Sequence, residues 1–188
     1  MKPIRFIHIE KSGGTSVTRF MQKNNIDFLL GKNAKKVKKH SHAEMFENED
    51  SFKFCVVRNP YTRLVSFYNY TAKGIYDCSF EQYVKNHLTD KKSQTPQVMK
   101  IYKPISNRFE TQNIRELENC FDWNSCLVDK IFYLEKIEEL LSFLKITDQF
   151  PIENRSTFDD HMSYYTPELK TIVADHFRKD FELLGYEI

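Results

Sequence analysis

The sequence predicts an α/β fold in which helices flank a central parallel sheet. Three segments carry this prediction, because each joins a short apolar run, rich in β-branched and aromatic residues, to an amphipathic helix. The runs begin at Ile4, Phe52 and Lys130. Near-continuous apolar runs are typical of parallel strands covered on both faces, and a helical connection returns the chain in the same direction.

The first of these passages begins with a predicted strand over Ile4–Ile9 and continues through the turn Lys11-Ser-Gly-Gly-Thr-Ser16. A helix follows that ends near Asn24, with Thr15 or Ser16 able to cap its start. Its inward-facing residues recur at helical spacing: Val17, Phe20 and Met21.

The second and third passages have the same plan. A buried strand over Phe52–Val57 leads through Arg58-Asn-Pro60 into a helix from Tyr61, where Pro60 suits the first turn. A strand over Lys130–Leu134 leads into a helix with Ile137, Leu140, Leu141 and Leu144 on one face.

The remaining chain divides into an irregular stretch and a final helix. Residues 77–124 alternate polar patches with short apolar pieces, which predicts loops and helices over the sheet. Thr166 as cap and Pro167 at the first position begin a helix that runs to Leu184, with Gly185 as its stop. No linker or repeat interrupts the sequence, so we expect a single domain over residues 1–188.

Composition excludes several classes of protein. The 188 residues are 40% hydrophobic and 14% aromatic, with only five Gly and six Pro, so the chain is not disordered or collagenous. No apolar run approaches the roughly 18 residues of a membrane span. The four cysteines have neither zinc-site nor disulfide-framework spacing, and the first residues do not resemble a signal peptide. We therefore expect no metal site and a soluble, cytoplasmic protein with reduced thiols.

Charge is distributed unevenly along the chain. Residues 1–43 contain ten Lys/Arg and two acidic residues, a net of +8, whereas the rest contains 18 and 24, a net of −6, giving the total of +2. Five lysines of this basic quarter form a run: Lys32, Lys35, Lys36, Lys38 and Lys39. The asymmetry indicates either an anionic partner or a solvated basic face, and the lack of interleaved aromatic residues disfavours nucleic acid.

The glycine turn between the first strand and helix has the features of a phosphate-binding loop. The first N–H groups of a helix have no intrahelical partner, and the helix dipole adds positive potential there. Gly13 and Gly14 allow close approach, while Lys11 and the hydroxyls of Thr15 and Ser16 can donate to an anion. The spacing matches neither the nucleoside-triphosphate P-loop nor the dinucleotide fingerprint, and a plain tight turn remains the alternative.

Two longer segments resemble one protein family. Phe6-Ile-His-Ile-Glu-Lys-Ser-Gly-Gly-Thr-Ser16 resembles the Phe-Ile-His-Ile-Pro-Lys-Thr-Gly-Gly-Thr-Ser pattern of carbohydrate sulfotransferases, the group that includes heparan sulfate 2-O- and chondroitin sulfotransferases and bacterial relatives. A second match, Phe54-Cys-Val-Val-Arg-Asn-Pro-Tyr-Thr-Arg-Leu-Val-Ser-Phe-Tyr68, is similar to their Val-Arg-Asp/Asn-Pro-x-x-Arg-Leu-x-Ser-x-Tyr segment. Lys39-His-Ser-His-Ala43 and the C-terminal part also match, and Glu10 departs from the family's proline.

The resemblance implies a P-loop-like three-layer sandwich and a donor, 3′-phosphoadenosine 5′-phosphosulfate (PAPS), with adenosine 3′,5′-bisphosphate as product. It implies that Lys11, Ser12, Gly13, Gly14, Thr15 and Ser16 hold the 5′-phosphosulfate and that Arg58 and Ser66 hold the 3′-phosphate. Arg155 and Ser156 resemble a segment that closes over the nucleotide, although an exposed turn is the alternative reading. Arg63 could serve the same phosphate or pair with an acid.

Sulfuryl transfer needs a cation at the leaving oxygen and a base for the acceptor's proton. Lys11 is the candidate for the cation. A histidine suits the base at neutral pH, and the family match directs attention to His40 and His42 rather than to His8, which we expect to be packed in the sheet. The acceptor is expected to be a hydroxylated molecule, namely a saccharide, either neutral or anionic. A nucleotide or sugar kinase and a non-catalytic anion or polysaccharide binder remain alternatives.

Overall fold

A computed structural model describes residues 2–30, 42–90, 94–106, 113–150 and 161–188. Six strands lie within these residues: β1 (Ile4–Ile7), β2 (Phe28–Leu30), β3 (Phe52–Val57), β4 (Tyr102–Pro104), β5 (Phe121–Cys126) and β6 (Lys130–Tyr133). The α-helices are α1 (Gly14–Lys23), α2 (Pro60–Phe67), α3 (Lys73–Tyr76), α4 (Phe80–His87), α5 (Ile114–Glu118), α6 (Ile137–Phe143), α7 (Pro167–His176) and α8 (Arg178–Leu184).

The chain divides into two compact units. The first unit comprises Met1–Arg58, Lys100–Tyr102 and Ser125–Arg155, and the second comprises Asn59–Met99, Lys103–Asn124 and Ser156–Ile188. The single domain over residues 1–188 stays a prediction.

The first unit contains a four-stranded parallel sheet in the order β2-β1-β3-β6. Ile7 pairs with Cys55, and Val57 pairs with Tyr133, so the carboxyl ends of β1, β3 and β6 lie at one edge. The α/β class with a parallel sheet flanked by helices is thereby confirmed. The strand predicted over Ile4–Ile9 ends at Ile7, and β2 was not predicted at all.

Helices α1 and α6 cover one face of this sheet. Their apolar residues join those of the strands in one buried cluster: Phe6, Val17, Met21, Phe54, Val56, Phe132, Leu140 and Leu144. The prediction that Thr15 or Ser16 caps α1 is wrong, because the helix begins earlier and Gly13 is its N-cap residue, with no side-chain cap. Gly13 adopts φ 76°, a left-handed conformation that residues with a side chain rarely adopt.

The second unit has a core of its own, formed by α2, α4, α7 and α8. Asn59 caps α2 by accepting from the backbone N–H of Tyr61 at 2.9 Å, and Pro60 occupies the first turn as predicted. Thr166 caps α7 and Gly185 ends α8 with φ 69°, also as predicted. The single C-terminal helix we predicted is two helices, because Phe177 leaves helical geometry and Asp180 N–H donates to its carbonyl at 2.8 Å.

Residues 77–124, which the sequence left unresolved, hold α4, α5 and an additional two-stranded sheet. Ser79 and Gln82 form a capping box at the start of α4. Strands β4 and β5 pair with each other. Strand β4 has only three residues and no periodicity to detect, so its pairing with β5 decides its conformation more than its sequence does.

Candidate anion-binding and active site

The turn after β1 is shaped by close packing on both of its glycines. A Cβ at Gly14 would overlap the buried imidazole of His8, and a Cβ at Gly13 would lie 2.7 Å from a methyl group of Leu134. His8 is 4% exposed and stacks on Phe6, as the sequence led us to expect. Packing therefore requires glycine at position 14, and the positive φ favours it at position 13, while anion binding by this turn stays a prediction.

Two cationic side chains come together beside this turn. Arg58 directly follows β3, and its Nη1 donates a long hydrogen bond of 3.5 Å to the carbonyl oxygen of Lys11. Lys11 is half-buried, with its backbone in the left-handed region at φ 63°. Burial, with the charge of Arg58 as a further cause, lowers the pKa of Lys11 to about 8. Two neighbouring positive charges in a partly desolvated place favour an anionic ligand.

The beginning of α1 lies in the same turn and adds backbone donors. The helix has ten residues, enough for an appreciable dipole, and starts at Gly14 directly after the Gly13 cap. Val17 N–H donates to Gly13 O at 3.0 Å, so N–H groups of the preceding first-turn residues point out of the helix end. Ser12 and Ser16 are buried in the turn, and Thr15 is half-buried.

The structure describes only some of the other residues predicted for the site. His42 is half-buried with an extended backbone, at the start of a short 3₁₀ helix over Ala43–Phe46. Ser66 is half-buried on α2, in the second unit. His40, Arg155 and Ser156 lie outside the described residues. The structure thus brings Lys11 and Arg58 together, and the roles of the remaining residues stay predictions.

Arg63, for which we had weighed phosphate binding against an ion pair, is buried in the second unit. Its side chain is 2% exposed, and Nη1 donates to Thr95 O at 3.1 Å. Its charge also acts on the buried carboxyl of Asp180. These interactions give Arg63 a structural role in holding the segment around Thr95.

A contact that the sequence did not reveal involves Glu10, directly before Lys11. Its carboxylate accepts from Nζ of Lys100 at 3.2 Å, within the first unit. Lys100 lies in the stretch whose conformation the sequence left open, so no local signal could have identified it as the partner.

The model of the sulfotransferase family matches residues 2–187, almost the whole chain. The chain belongs to the sulfotransferase family. No match was found among curated proteins or among solved structures. The resemblance on which the site residues were chosen is therefore confirmed at the level of the family, and sulfuryl transfer in general follows from it.

Two further findings concern the described part of this sulfotransferase. None of its helices there combines the length and the apolar character needed to cross a membrane. Within the same residues, no group of three His, Cys, Asp or Glu side chains is arranged to hold a metal ion.

Proposed function

We propose that this sulfotransferase moves the sulfuryl group of PAPS to a hydroxyl group of a carbohydrate. The observation that carries the proposal is the convergence of Lys11 and Arg58 beside the start of α1, in a chain that the sulfotransferase family matches over residues 2–187. PAPS has two anionic parts, a 5′-phosphosulfate and a 3′-phosphate. The site offers two cations, a helix start and buried hydroxyl residues, which suit such a ligand.

The assignment of residues to these two parts follows the family motifs. Residues 11–16 would hold the 5′-phosphosulfate, since the glycines let its oxygens approach the backbone of α1. Arg58, with Ser66 as a further donor, would hold the 3′-phosphate, because a guanidinium matches phosphate oxygens with two parallel hydrogen bonds. Arg155 and Ser156 would complete the nucleotide site.

When bound, PAPS supplies the sulfuryl group, whose bond to the 5′-phosphate oxygen breaks as the acceptor oxygen bonds to sulfur. The Lys11 ammonium would stabilise the negative charge that grows on the leaving oxygen. His40 or His42 would take the proton from the acceptor hydroxyl, leaving adenosine 3′,5′-bisphosphate and the sulfate ester as products. Such a transfer needs no metal ion from this chain.

A carbohydrate is the acceptor we propose, because the family motifs in this sequence are those of carbohydrate sulfotransferases. The lysine run that precedes His40 suits a saccharide with negative charge. We also propose that the protein works in the cytoplasm, where thiols stay reduced; all four cysteines are free, and Cys55 and Cys120 are buried. Alkylation of the thiols in protein taken directly from cells tests this location, and disulfide-linked cysteines would contradict it.

The donor is tested by thermal unfolding with adenosine 3′,5′-bisphosphate and, separately, with ATP and magnesium. At 100 times its dissociation constant, the bisphosphate should stabilise the fold by about 2.7 kcal/mol, which raises Tm by roughly 5–10 °C. ATP with magnesium should act much more weakly. An equal or stronger response to ATP would favour the kinase alternative and contradict our proposal. Arg58→Ala should reduce the bisphosphate response.

Turnover is tested with PAPS and a panel of oligosaccharides, by mass spectrometry of the products. Lys11→Ala should abolish turnover, and whichever of His40→Ala and His42→Ala removes the base should do the same. His87→Ala is the matched control, because this histidine bonds to Asp90 in the second unit and belongs to no motif. Bisphosphate binding without turnover on any acceptor would indicate the non-catalytic binder.

A further inference from the structure

Two basic residues lie side by side on the face of the first unit's sheet that is opposite to α1 and α6. Arg5 of β1 pairs in register with Lys53 of β3. Because side chains alternate along a strand, both lie on the other face from Phe6 and Phe54, which pack with α1 and α6. Both are nevertheless buried, at 4% and 8% exposure. Buried cations are costly unless they are paired, so their partners show what this face of the sheet holds.

These partners lie in the segment between His42 and Ser51. The Arg5 guanidinium donates from Nε to one carboxylate oxygen of Glu49 at 2.9 Å and from Nη2 to the other. The same guanidinium lies over the ring of Phe46, 4.2 Å from the ring centroid. Lys53 donates from Nζ to the carbonyl oxygen of Glu49 at 2.8 Å. Arg5 therefore contacts this segment at two points, and Lys53 contacts it at a third.

The contacts of Arg5 continue to the candidate base His42. Phe46 is 2% exposed and is the last residue of the short 3₁₀ helix that begins at Ala43. In this helix, Met45 N–H donates to the carbonyl oxygen of His42 at 3.2 Å, and Ala43, directly after His42, is fully buried. The backbone from which the His42 imidazole extends is thus part of the same short helix on which Arg5 lies.

The Arg5–Glu49 pair is better explained by orientation than by stability. Removing charges from water opposes their mutual attraction, so apolar residues of similar volume often replace a buried pair without loss of stability. Apolar contacts are also non-directional, whereas a guanidinium and a carboxylate bond in one plane with two parallel hydrogen bonds. The pair therefore fixes how the segment lies on the sheet, in addition to keeping it there.

We propose that Arg5 is a positioning residue, which acts through Phe46 and Glu49 to orient His42 for removal of the proton from the acceptor hydroxyl. This inference rests on the proposed function, with His42 as the base. Arg5 contacts the segment that carries the histidine, and the residues assigned to the donor lie elsewhere, at positions 11–16 and 58. Loss of the pair should therefore slow transfer without weakening donor binding.

The experiment replaces both partners by an apolar pair, Arg5→Met/Glu49→Leu. Turnover with PAPS and an oligosaccharide gives kcat, calorimetry gives the affinity for adenosine 3′,5′-bisphosphate, and thermal unfolding gives Tm. We expect kcat to fall at least about tenfold, because a small displacement of a catalytic group has a large effect on rate. Bisphosphate affinity should stay within about twofold, and Tm should equal or exceed that of the wild type.

The matched control is the pair formed by Lys2 and Asp50, which joins the same two stretches of chain. Its Nζ to Oδ1 distance is 2.6 Å, but both side chains are exposed, at 65% and 83%. Lys2→Gln/Asp50→Asn should leave kcat, affinity and Tm close to wild type, because exposed ion pairs contribute little. His42→Ala should lose turnover while it keeps bisphosphate affinity.

If Arg5→Met/Glu49→Leu does not fold, Arg5→Gln replaces it, since water can reach the half-buried Glu49 carboxylate; the same fall in kcat is expected. Four results would overturn the inference while leaving the proposed function intact. These are wild-type kcat in the folded variant, an equal fall in the control pair, a bisphosphate affinity that falls as far as kcat, and wild-type turnover in His42→Ala. A wild type that transfers no sulfuryl group would overturn both.

Discussion

Lys11 holds its charge where the folded chain disfavours it. The side chain is half-buried next to Arg58, and these two causes lower its pKa from 10.5 to about 8. Burial and the charge of Arg58 thus disfavour the charged form of Lys11 in the unliganded fold, and an anion bound beside it would offset that cost. At Lys11, ligand binding and the stability of the unliganded fold are therefore expected to oppose each other.

Lys11→Met should therefore stabilise the unliganded protein near pH 7 while it removes the response to adenosine 3′,5′-bisphosphate. Allowing for solvent screening of a half-exposed group, we expect a gain of about 1 kcal/mol, which corresponds to roughly 2–4 °C in Tm. The pKa of Lys11 is lower in the folded than in the unfolded state. Its charged form therefore lowers the free energy of unfolding by the full amount below about pH 8, and this loss of stability disappears as pH rises toward 10.5. The gain should shrink over that range.

Thermal unfolding at several pH values measures this difference, with Lys73→Met as the matched control. Lys73 is exposed on α3, so its replacement should leave Tm nearly unchanged. A Lys11→Met variant that is less stable than the wild type at pH 7 would show that the charge is compensated in the unliganded fold.

Gly14 is the second residue whose role follows from its surroundings. Alanine there would place a methyl group within the His8 ring, so the imidazole or the start of α1 must shift. We expect Gly14→Ala to destabilise the protein by about 1–3 kcal/mol, as overpacking does.

Urea denaturation measures this loss of stability, with Gly74→Ala as control, since a Cβ at Gly74 meets nothing within 4 Å. Because alanine favours a helix over glycine, the control should be neutral or up to about 1 kcal/mol more stable. Equal effects of both substitutions would contradict the packing argument.

At the scale of elements, the strands with clear physical signals could be predicted closely. The run Phe52–Val57 matches β3 residue for residue, because a strand covered on both faces has a nearly continuous apolar run, interrupted here only by Lys53. Strand β6 differs from its prediction by one residue at the carboxyl end. The three-residue strands β2 and β4 were missed, since a strand this short has no periodicity to detect and exists only through its neighbours.

The same reasoning explains how far the site could be predicted. Lys11 and Arg58 follow neighbouring parallel strands, so topology alone brings them to one edge of the sheet. The Glu10–Lys100 pair joins residues 90 positions apart, and nothing local in either segment indicates the other. Proline at position 10 would fix the backbone by itself, whereas glutamate depends on a tertiary partner that only the folded chain provides.

Helices α7 and α8 hold the segment Gln94–Val98 from two points in the second unit. Asp180, fully buried on α8, accepts from the backbone N–H groups of Gln97 and Val98, each at 3.0 Å. His176, on α7, donates from Nε2 to Gln94 O at 3.2 Å. Burial lowers the pKa of His176 to about 4, so the imidazole is neutral in the fold at neutral pH.

This burial predicts a loss of stability in mild acid. The pKa of His176 in the folded state lies below its ordinary value of 6.5. The neutral, buried imidazole therefore contributes fully to the free energy of unfolding above pH 6.5, and this contribution is lost as pH falls toward 4. Between pH 7.5 and 5 the wild type should lose about 2 kcal/mol more than His176→Gln does. Urea denaturation at the two pH values measures the difference. The control is His161→Gln, because His161 is only half-buried. The same pH dependence in wild type and His176→Gln would contradict the assignment.

At the scale of the whole molecule, the +8 charge of residues 1–43 separates into two parts. Lys11 belongs to the proposed donor site, while the lysine run at positions 32–39 precedes the candidate base His40. If the run guides an anionic saccharide, donor and acceptor binding should depend on different lysines. The two bound anions can then be distinguished by substituting the lysines of the run separately from Lys11.

Replacing the five lysines of the run by Gln changes the net charge from +2 to −3 without touching the residues assigned to the donor. We expect affinity for a sulfated or uronic-acid oligosaccharide to fall at least about tenfold and its salt dependence to flatten, because fewer cations contact the ligand. Affinity for adenosine 3′,5′-bisphosphate should stay within about twofold.

The control removes five lysines from the rest of the chain, with the same change in net charge: Lys73, Lys91, Lys136, Lys145 and Lys170. Calorimetry at two salt concentrations measures both ligands. Equal losses of saccharide binding in the two variants would assign the effect to net charge rather than to the run, and unchanged binding in both would mean that the acceptor is neutral.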